Sequence, residues 1–231
     1  MPNKSFYFKQ FSILHQAKGL RVTTDACLLG ALAVKNNSTL ILDIGTGTGV
    51  IALMLAQKYA KAQISAIDIQ AEIIHQAQLN IEHSIFKDRI ELILANITTL
   101  ELSNKYDLIV CNPPFFDNHL AHSITNKHLA LHTETLNASE LYQAVIKYLK
   151  SNGTFWVIYP PYQFSQFTEI ATELTLIEKI NIYNKPHKLH RIIGCFIPKN
   201  NNPMIEKNLI LCNENNERTV EFSQLMKDFY L

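Results

Sequence analysis

The chain reads as an α/β protein: a mostly parallel sheet with helices on both faces. Three observations carry that reading. Short β-branched apolar runs alternate with helical patterns through the middle of the sequence, the signature of strand–helix–strand units. The run Leu40-Ile41-Leu42-Asp43-Ile44 passes directly into a glycine-rich turn and then an apolar helical segment. Polar residues follow two other runs at their carboxyl ends, where open α/β sheets place ligands.

Taken in order, residues 1–24 form an extension ahead of the first helix, and residues 25–231 form the core of one domain. The aromatics Phe6, Tyr7, Phe8 and Phe11 are expected to anchor that extension on the core. Strands are expected over 39–44, 63–68, 90–94, 106–111 and 153–159, and helices near 49–60, 71–84 and 138–150. In the second of these helices Ile73, Ile74, Ala77 and Ile81 recur at helical spacing, which puts Gln76, Asn80 and Glu82 outward. Asn152-Gly153 reads as a helix stop before the fifth strand, with Trp156 in the core. Arg191–Pro198 and Ile205–Cys212 read as two strands joined by a turn-rich connection. With no helix between them they imply an antiparallel pair at one edge, for seven strands in all. Residues 116–137 are a long polar insertion, and loops of that length usually have a function or lack order.

Composition narrows the classes. A chain of 231 residues with 47% hydrophobic content can bury one full core. Cys27, Cys111, Cys195 and Cys212 lie far apart without metal-ligand spacing, so reduced packing residues, a cytoplasmic setting and no metal are expected. No apolar run approaches the length of a membrane span, and no signal peptide is evident. The net charge of +1 says little, but its distribution says more. Basic residues outnumber acids over 1–35 and again over 178–199, two candidate phosphate-binding patches among otherwise solvated lysines.

The chemistry concentrates in two places. Asn112-Pro113-Pro114-Phe115-Phe116 follows the apolar strand 106–111. Neither proline has a backbone donor and both have φ fixed, so the strand must stop and leave a stiff loop. That loop offers an amide oxygen, a carbonyl and a flat ring, which suit a planar group bearing an exocyclic amine, although an ordinary Pro-Pro turn would use the same residues. Upstream, Asp43 precedes Gly45, Gly47 and Gly49 at alternate positions. The dinucleotide fingerprint G-x-G-x-x-G would need glycine at 50, where the chain has Val, so an NAD site is disfavoured. Asp68, closing the next strand, stands where a ribose-diol acceptor is expected.

Asp43-x-Gly-x-Gly-x-Gly, Asp68 and Asn112-Pro-Pro-Phe together resemble the class I S-adenosylmethionine-dependent methyltransferases that act on amino groups. Phe6-Tyr7-Phe8-Lys9-Gln10-Phe11, His15, Arg21–Ala31 and the terminal Asp228-Phe229-Tyr230-Leu231 resemble the bacterial family that N6-methylates adenine 37 beside the anticodon of valine tRNA. The likeness covers nearly the whole chain. It implies the Rossmann-like class I methyltransferase fold, S-adenosyl-L-methionine as cofactor and tRNA as partner, with no membrane association. The oligomeric state stays open, with a monomer as the working expectation.

On that resemblance, Asp43, Gly45, Gly47, Gly49, Asp68 and Asn96 face the cofactor, with Thr24 and Asp25 toward its methionine end. Asp25 is equally suited to the start of a helix. Asn96 stands where related enzymes commonly carry an acid; its amide can still accept from adenine N6–H. Asn112 and Pro113 accept the target N6–H groups, Pro114 stiffens the loop and Phe115 stacks on the base. Lys9, Lys18, Arg21, Lys127, Lys188 and Arg191 are candidate RNA contacts, with His15 and His132 open between RNA and packing roles. The family usually has Arg beside that second His, whereas this chain has Leu131. Rival readings are a methyltransferase for release-factor glutamine, rRNA guanine or DNA adenine, and a non-catalytic cofactor-binding, RNA-binding protein. Release-factor enzymes favour Tyr where Phe115 stands and carry a separate N-terminal helical domain, for which residues 1–24 are short.

Overall fold

The structure, a computed structural model, describes residues 5–14, 21–114 and 136–231. Its centre is a sheet of eight strands: β3 (Leu40–Ile44), β4 (Gln63–Asp68), β5 (Ile90–Leu94), β6 (Tyr106–Cys111), β7 (Leu149–Tyr159), β8 (Leu174–Tyr183), β9 (Leu189–Pro198) and β10 (Ile205–Ile210). Their spatial order is β10-β8-β9-β7-β6-β3-β4-β5. The chain runs outward through β3, β4 and β5, then returns to the other side of β3 with β6. A topological switch point therefore opens between β3 and β6.

Alternation along the strands builds two cores. In β6 and β7, Leu108, Val110, Trp156 and Ile158 face one cluster, while Ile109, Cys111, Phe155 and Val157 face the other. The first is covered by α1 (Thr24–Leu32), α2 (Val50–Lys58), α3 (Ala71–Glu82) and α6 (Val220–Met226). The second is covered by α4 (Ala138–Tyr148) and α5 (Pro161–Ile170). Glycine permits two close approaches here. A Cβ on Gly30 would stand 2.9 Å from Met54 Sδ where α1 crosses α2, and one on Gly194 would stand 2.6 Å from the Phe164 ring.

Several expectations need correction. The main sheet has eight strands rather than seven, because β8 and the preceding α5 escaped the sequence reading. The strands at 189–198 and 205–210 do not pair with each other. β9 is antiparallel to both β7 and β8, and β10 adds in parallel to β8 at the edge. The last strand stops at Ile210; Cys212 makes only an isolated bridge with Arg218. Helix α4 ends at Tyr148, so Asn152-Gly153 lies inside β7. Gly153 is needed there for contact: a Cβ would sit 2.7 Å from Leu149 Cδ1 and 3.0 Å from the Tyr106 carbonyl oxygen.

The extension contributes a hairpin of β1 (Ser5–Tyr7) and β2 (Ser12–Leu14). Phe8 and Phe11 are buried and stacked at 4.4 Å, and Phe6, Tyr230 and Phe86 complete an aromatic cluster. Tyr7 departs from the expected anchoring role and is 58% exposed, since alternate residues of a strand face opposite ways. Trp156 is buried, with its indole N–H donating to the Val34 carbonyl at 3.1 Å. No helix among the described residues is long and apolar enough to cross a membrane.

Candidate active site

Strand register brings the polar residues together. Ile44 pairs with Cys111 on one side and with Ile67 on the other. One step further along the same row stand Asn112, Gly45 and Asp68, all lining a cavity of about 510 Å³. The cavity lies at the switch point, where neighbouring connections leave on opposite sides and part the chain.

The glycine turn is held from several directions. Gly45 and Thr46 N–H both donate to the Ile67 carbonyl at 2.8 and 2.9 Å, and Gly49 N–H closes the turn on the Thr46 carbonyl at 2.9 Å. Gly47 and Gly49 have φ of 59° and 81°, a region where a Cβ is strained. Gly49 is the N-cap of α2, so the cap itself is left-handed.

The two carboxylates of this half differ. Asp68 accepts from Gly47 N–H at 3.1 Å and from Gln70 N–H at 3.1 Å. Burial pushes its carboxyl above the usual range, and those backbone donors oppose the shift. A carboxylate has about four acceptor positions, so capacity for a diol remains. Asp43 is fully buried behind the wall; its Oδ2 accepts from Thr46 Oγ1 at 2.7 Å, and the Ala52 backbone N–H also supports its charged form. Burial raises it to about 7, with Asp68 adding to the rise against the Thr46 bond.

Asn96 lines the cavity, but its Oδ1 already accepts from Thr98 N–H at 2.9 Å and Thr98 Oγ1 at 2.8 Å. The amide nitrogen, not the oxygen of the earlier expectation, is the group this turn leaves to a ligand. Across the cavity, Thr23 rather than Thr24 is both the N-cap of α1 and a lining residue. Asp25 sits in the first turn and forms an ion pair with Arg191 Nε at 2.7 Å, with His190 Nε2 at 3.9 Å. Burial, then the neighbouring Arg191, holds the His190 imidazole below its ordinary value.

Asn112 closes the site. Its side-chain Oδ1 is buried and accepts no hydrogen bond among the described residues. Pro113 is buried beside it and Pro114 is exposed, both on the cavity wall. Phe115, with Lys18, Lys127, His15 and His132, lies outside the described residues.

The basic residues scatter more than expected. Arg21 and Arg191 line the cavity, and exposed Lys188 sits in the turn joining β8 to β9. Lys9 is not a lining residue; its ammonium donates to the Lys227 carbonyl. Sequence reasoning missed the Asp25–Arg191 pair, whose members are far apart in the chain, and Ile69, 41% exposed in the cavity wall directly after Asp68. No cluster of metal-ligating side chains occurs among the described residues.

A sequence model of a methyltransferase domain matches residues 35–208. Among solved structures, a predicted O-methyltransferase from Agrobacterium tumefaciens superimposes with a TM-score of 0.71 at 18% identity, covering 89% of this chain and 96% of that one. A glycopeptide N-methyltransferase complexed with S-adenosyl-L-methionine gives 0.56 at 10% identity, over 78% of this chain and 100% of that one. These likenesses concern the fold. Curated relatives reach further. The tRNA1(Val) (adenine(37)-N6)-methyltransferase of Dyadobacter fermentans is 35% identical over 99% of this chain and 98% of its own length. Enzymes of the same name from Trichodesmium erythraeum and Glaesserella parasuis are 38% and 37% identical, over 100% and 98% of this chain and over 99% and 97% of their own lengths. These alignments run over nearly the whole chain, and the chain belongs to the tRNA1(Val) (adenine(37)-N6)-methyltransferase family.

Proposed function

We infer that this protein transfers the methyl group of S-adenosyl-L-methionine to N6 of adenine 37 in valine tRNA. The observation that carries the reading is the buried, unpaired Asn112 Oδ1 on the wall of a cavity of about 510 Å³, in the same row as Asp68 and the start of the glycine turn. Buried acceptors are rarely left unpaired, and one held so in a cavity is ready for a donor from a ligand. The cofactor supplies an electrophilic methyl on a sulfonium.

The chain's own residues supply binding and alignment. Asp68 accepts the ribose hydroxyls, the turn at Gly45, Gly47 and Gly49 brings backbone close to the amino-acid part, and Asp43 holds the turn through Thr46. Asn96 Nδ2 offers a donor toward the cofactor's base. The Asn112 amide oxygen and the Pro113 carbonyl each accept one N6–H, which draws the nitrogen lone pair out of the ring and aims it at the methyl. No strong base is required, since the nitrogen becomes acidic as it gains positive charge. Catalysis then rests on orientation and fixed dipoles. Phe115 stacks on the extracted base. Arg21 and Arg191 at the rim, with Lys188 and the lysines at 9, 18 and 127, bind phosphates beyond the target. A substrate of this kind fits a cytoplasmic enzyme. Asp25, in ion pair with Arg191, keeps that guanidinium oriented.

The test is transfer of tritiated methyl to total tRNA from a strain lacking the enzyme, followed by nucleoside analysis. N6-methyladenosine in valine tRNA is the expected product. Methylation of a release-factor glutamine with none in tRNA overturns the reading.

A further inference from the structure

Helix α3 presents two amides to the core that its pattern of isoleucines had placed outward. Gln76 and Asn80 are 3% and 1% exposed, beside Ala77 and Ile81, whereas Ile73 and Ile74 are only half-buried. Asn80 Oδ1 accepts from the Leu14 N–H at 2.8 Å, and its Nδ2 donates to the Thr48 carbonyl at 2.8 Å. Gln76 Nε2 donates to the Leu14 carbonyl at 2.9 Å. One asparagine thus joins the end of β2 to the glycine turn.

The contact with Thr48 is the one that matters for ligand binding. The Thr48–Gly49 peptide has its N–H on the Thr46 carbonyl and its C=O on Asn80, so both ends of the plane are held. Among the described residues, Asn80 is the only donor to that carbonyl. On the far side the same turn is tied to Asp68 through Gly47 N–H. A turn containing three glycines of positive φ has little stiffness of its own, and its shape comes from these outside ties.

We propose that Asn80 is a positioning residue for the cofactor turn, fixing the Thr48–Gly49 peptide and coupling it to the N-terminal hairpin through Leu14. The proposal rests on the assignment of S-adenosylmethionine to this turn. Gln76 bonds the Leu14 carbonyl and Asn80 the Thr48 carbonyl, so substituting the two neighbouring amides compares a bond to the hairpin with a bond to the turn.

Calorimetric titration of the full chain with S-adenosylhomocysteine, at a temperature where each variant is folded, tests it. Asn80→Asp keeps the acceptor for Leu14 and replaces the Thr48 donor with an acceptor. It is expected to weaken binding about tenfold, the order expected when a buried carbonyl loses its partner. Gln76→Leu is expected to stay within twofold of the wild type. Amide exchange at Leu14 in the wild type is expected to slow on saturation with S-adenosylhomocysteine, a readout that needs no variant to fold. Binding by Asn80→Asp within twofold of wild type overturns the positioning role, and unchanged Leu14 exchange overturns the coupling. Failure of the wild type itself to bind would instead strike the cofactor assignment.

Discussion

The two ends of the parallel sheet treat their polar groups in opposite ways. At the amino end, Asp107 on β6 accepts from Thr39 N–H, Thr39 Oγ1 and Leu40 N–H, each at 3.0 Å, and pairs with Lys150 at 2.8 Å. Burial works against its charge, but Lys150 and these donors outweigh it and hold the carboxyl at about 2. At the carboxyl end, Asn112 keeps a buried oxygen without a partner among the described residues, and burial raises the Asp43 carboxyl to about 7. Satisfied groups hold strands together; unsatisfied ones cost stability and await something else. One end staples the sheet and the other is prepared for ligands.

The most severe way to break this contrast is Asn112→Ala. Loss of the aligned amide is expected to lower turnover by about a hundredfold or more, with cofactor affinity within twofold, as methyl-transfer assays and calorimetry would read. An equal loss of cofactor affinity would make the residue merely structural. Asp68→Ala comes next. Removing the ribose acceptor and the Gly47 anchor together is expected to cost roughly 1–3 kcal/mol of cofactor binding, and unchanged affinity would remove Asp68 from the site.

At the opposite end, Asp107→Asn tests stability without chemistry. Depression of Asp107 to about 2 favours its charged form in the fold; with solvent screening the contribution is about 1 kcal/mol, present above about pH 4 and lost as pH falls through about 2. Melting of the variant is expected to drop by about 3 °C at pH 7, with the gap closing in acid and cofactor affinity unchanged. Asp43 has the reverse sign. A carboxyl raised to about 7 favours its neutral form in the fold, so its contribution to stability falls as pH rises from about 4 to 7. Asp43→Asn is expected to flatten that slope in denaturant titrations of the free protein. A slope unchanged by the substitution would show that another group carries it.

Much of the carboxyl end was legible because local rules act there. Strand propensity followed by alternate glycines, or by two prolines, marks a strand end whatever surrounds it, and Asp43 and Asn112 were found at such ends, while Asp68 was found as the carboxylate closing the next apolar run. The amino end was silent in sequence: nothing local marks Asp107 as the partner of Thr39 and Lys150, because their meeting depends on three parallel strands starting side by side. The edge was misread for a related reason. Leu174–Tyr183 is only half-buried over much of its length, so its alternation is blurred, and strand pairing is a choice between partners that sequence adjacency does not make.

By itself, then, the sequence determined the strands of the central parallel sheet, the glycine-rich turn after the first of them, and which residue types stood at the strand ends. Only the tertiary structure decided that Asn80 and Gln76 face inward, that Arg191 meets Asp25, and that the Asn112 oxygen is left without a partner among the described residues. Backbone torsion and hydrophobic period are properties of neighbours along the chain. The satisfaction of a buried polar group depends on what the rest of the fold brings within hydrogen-bonding distance.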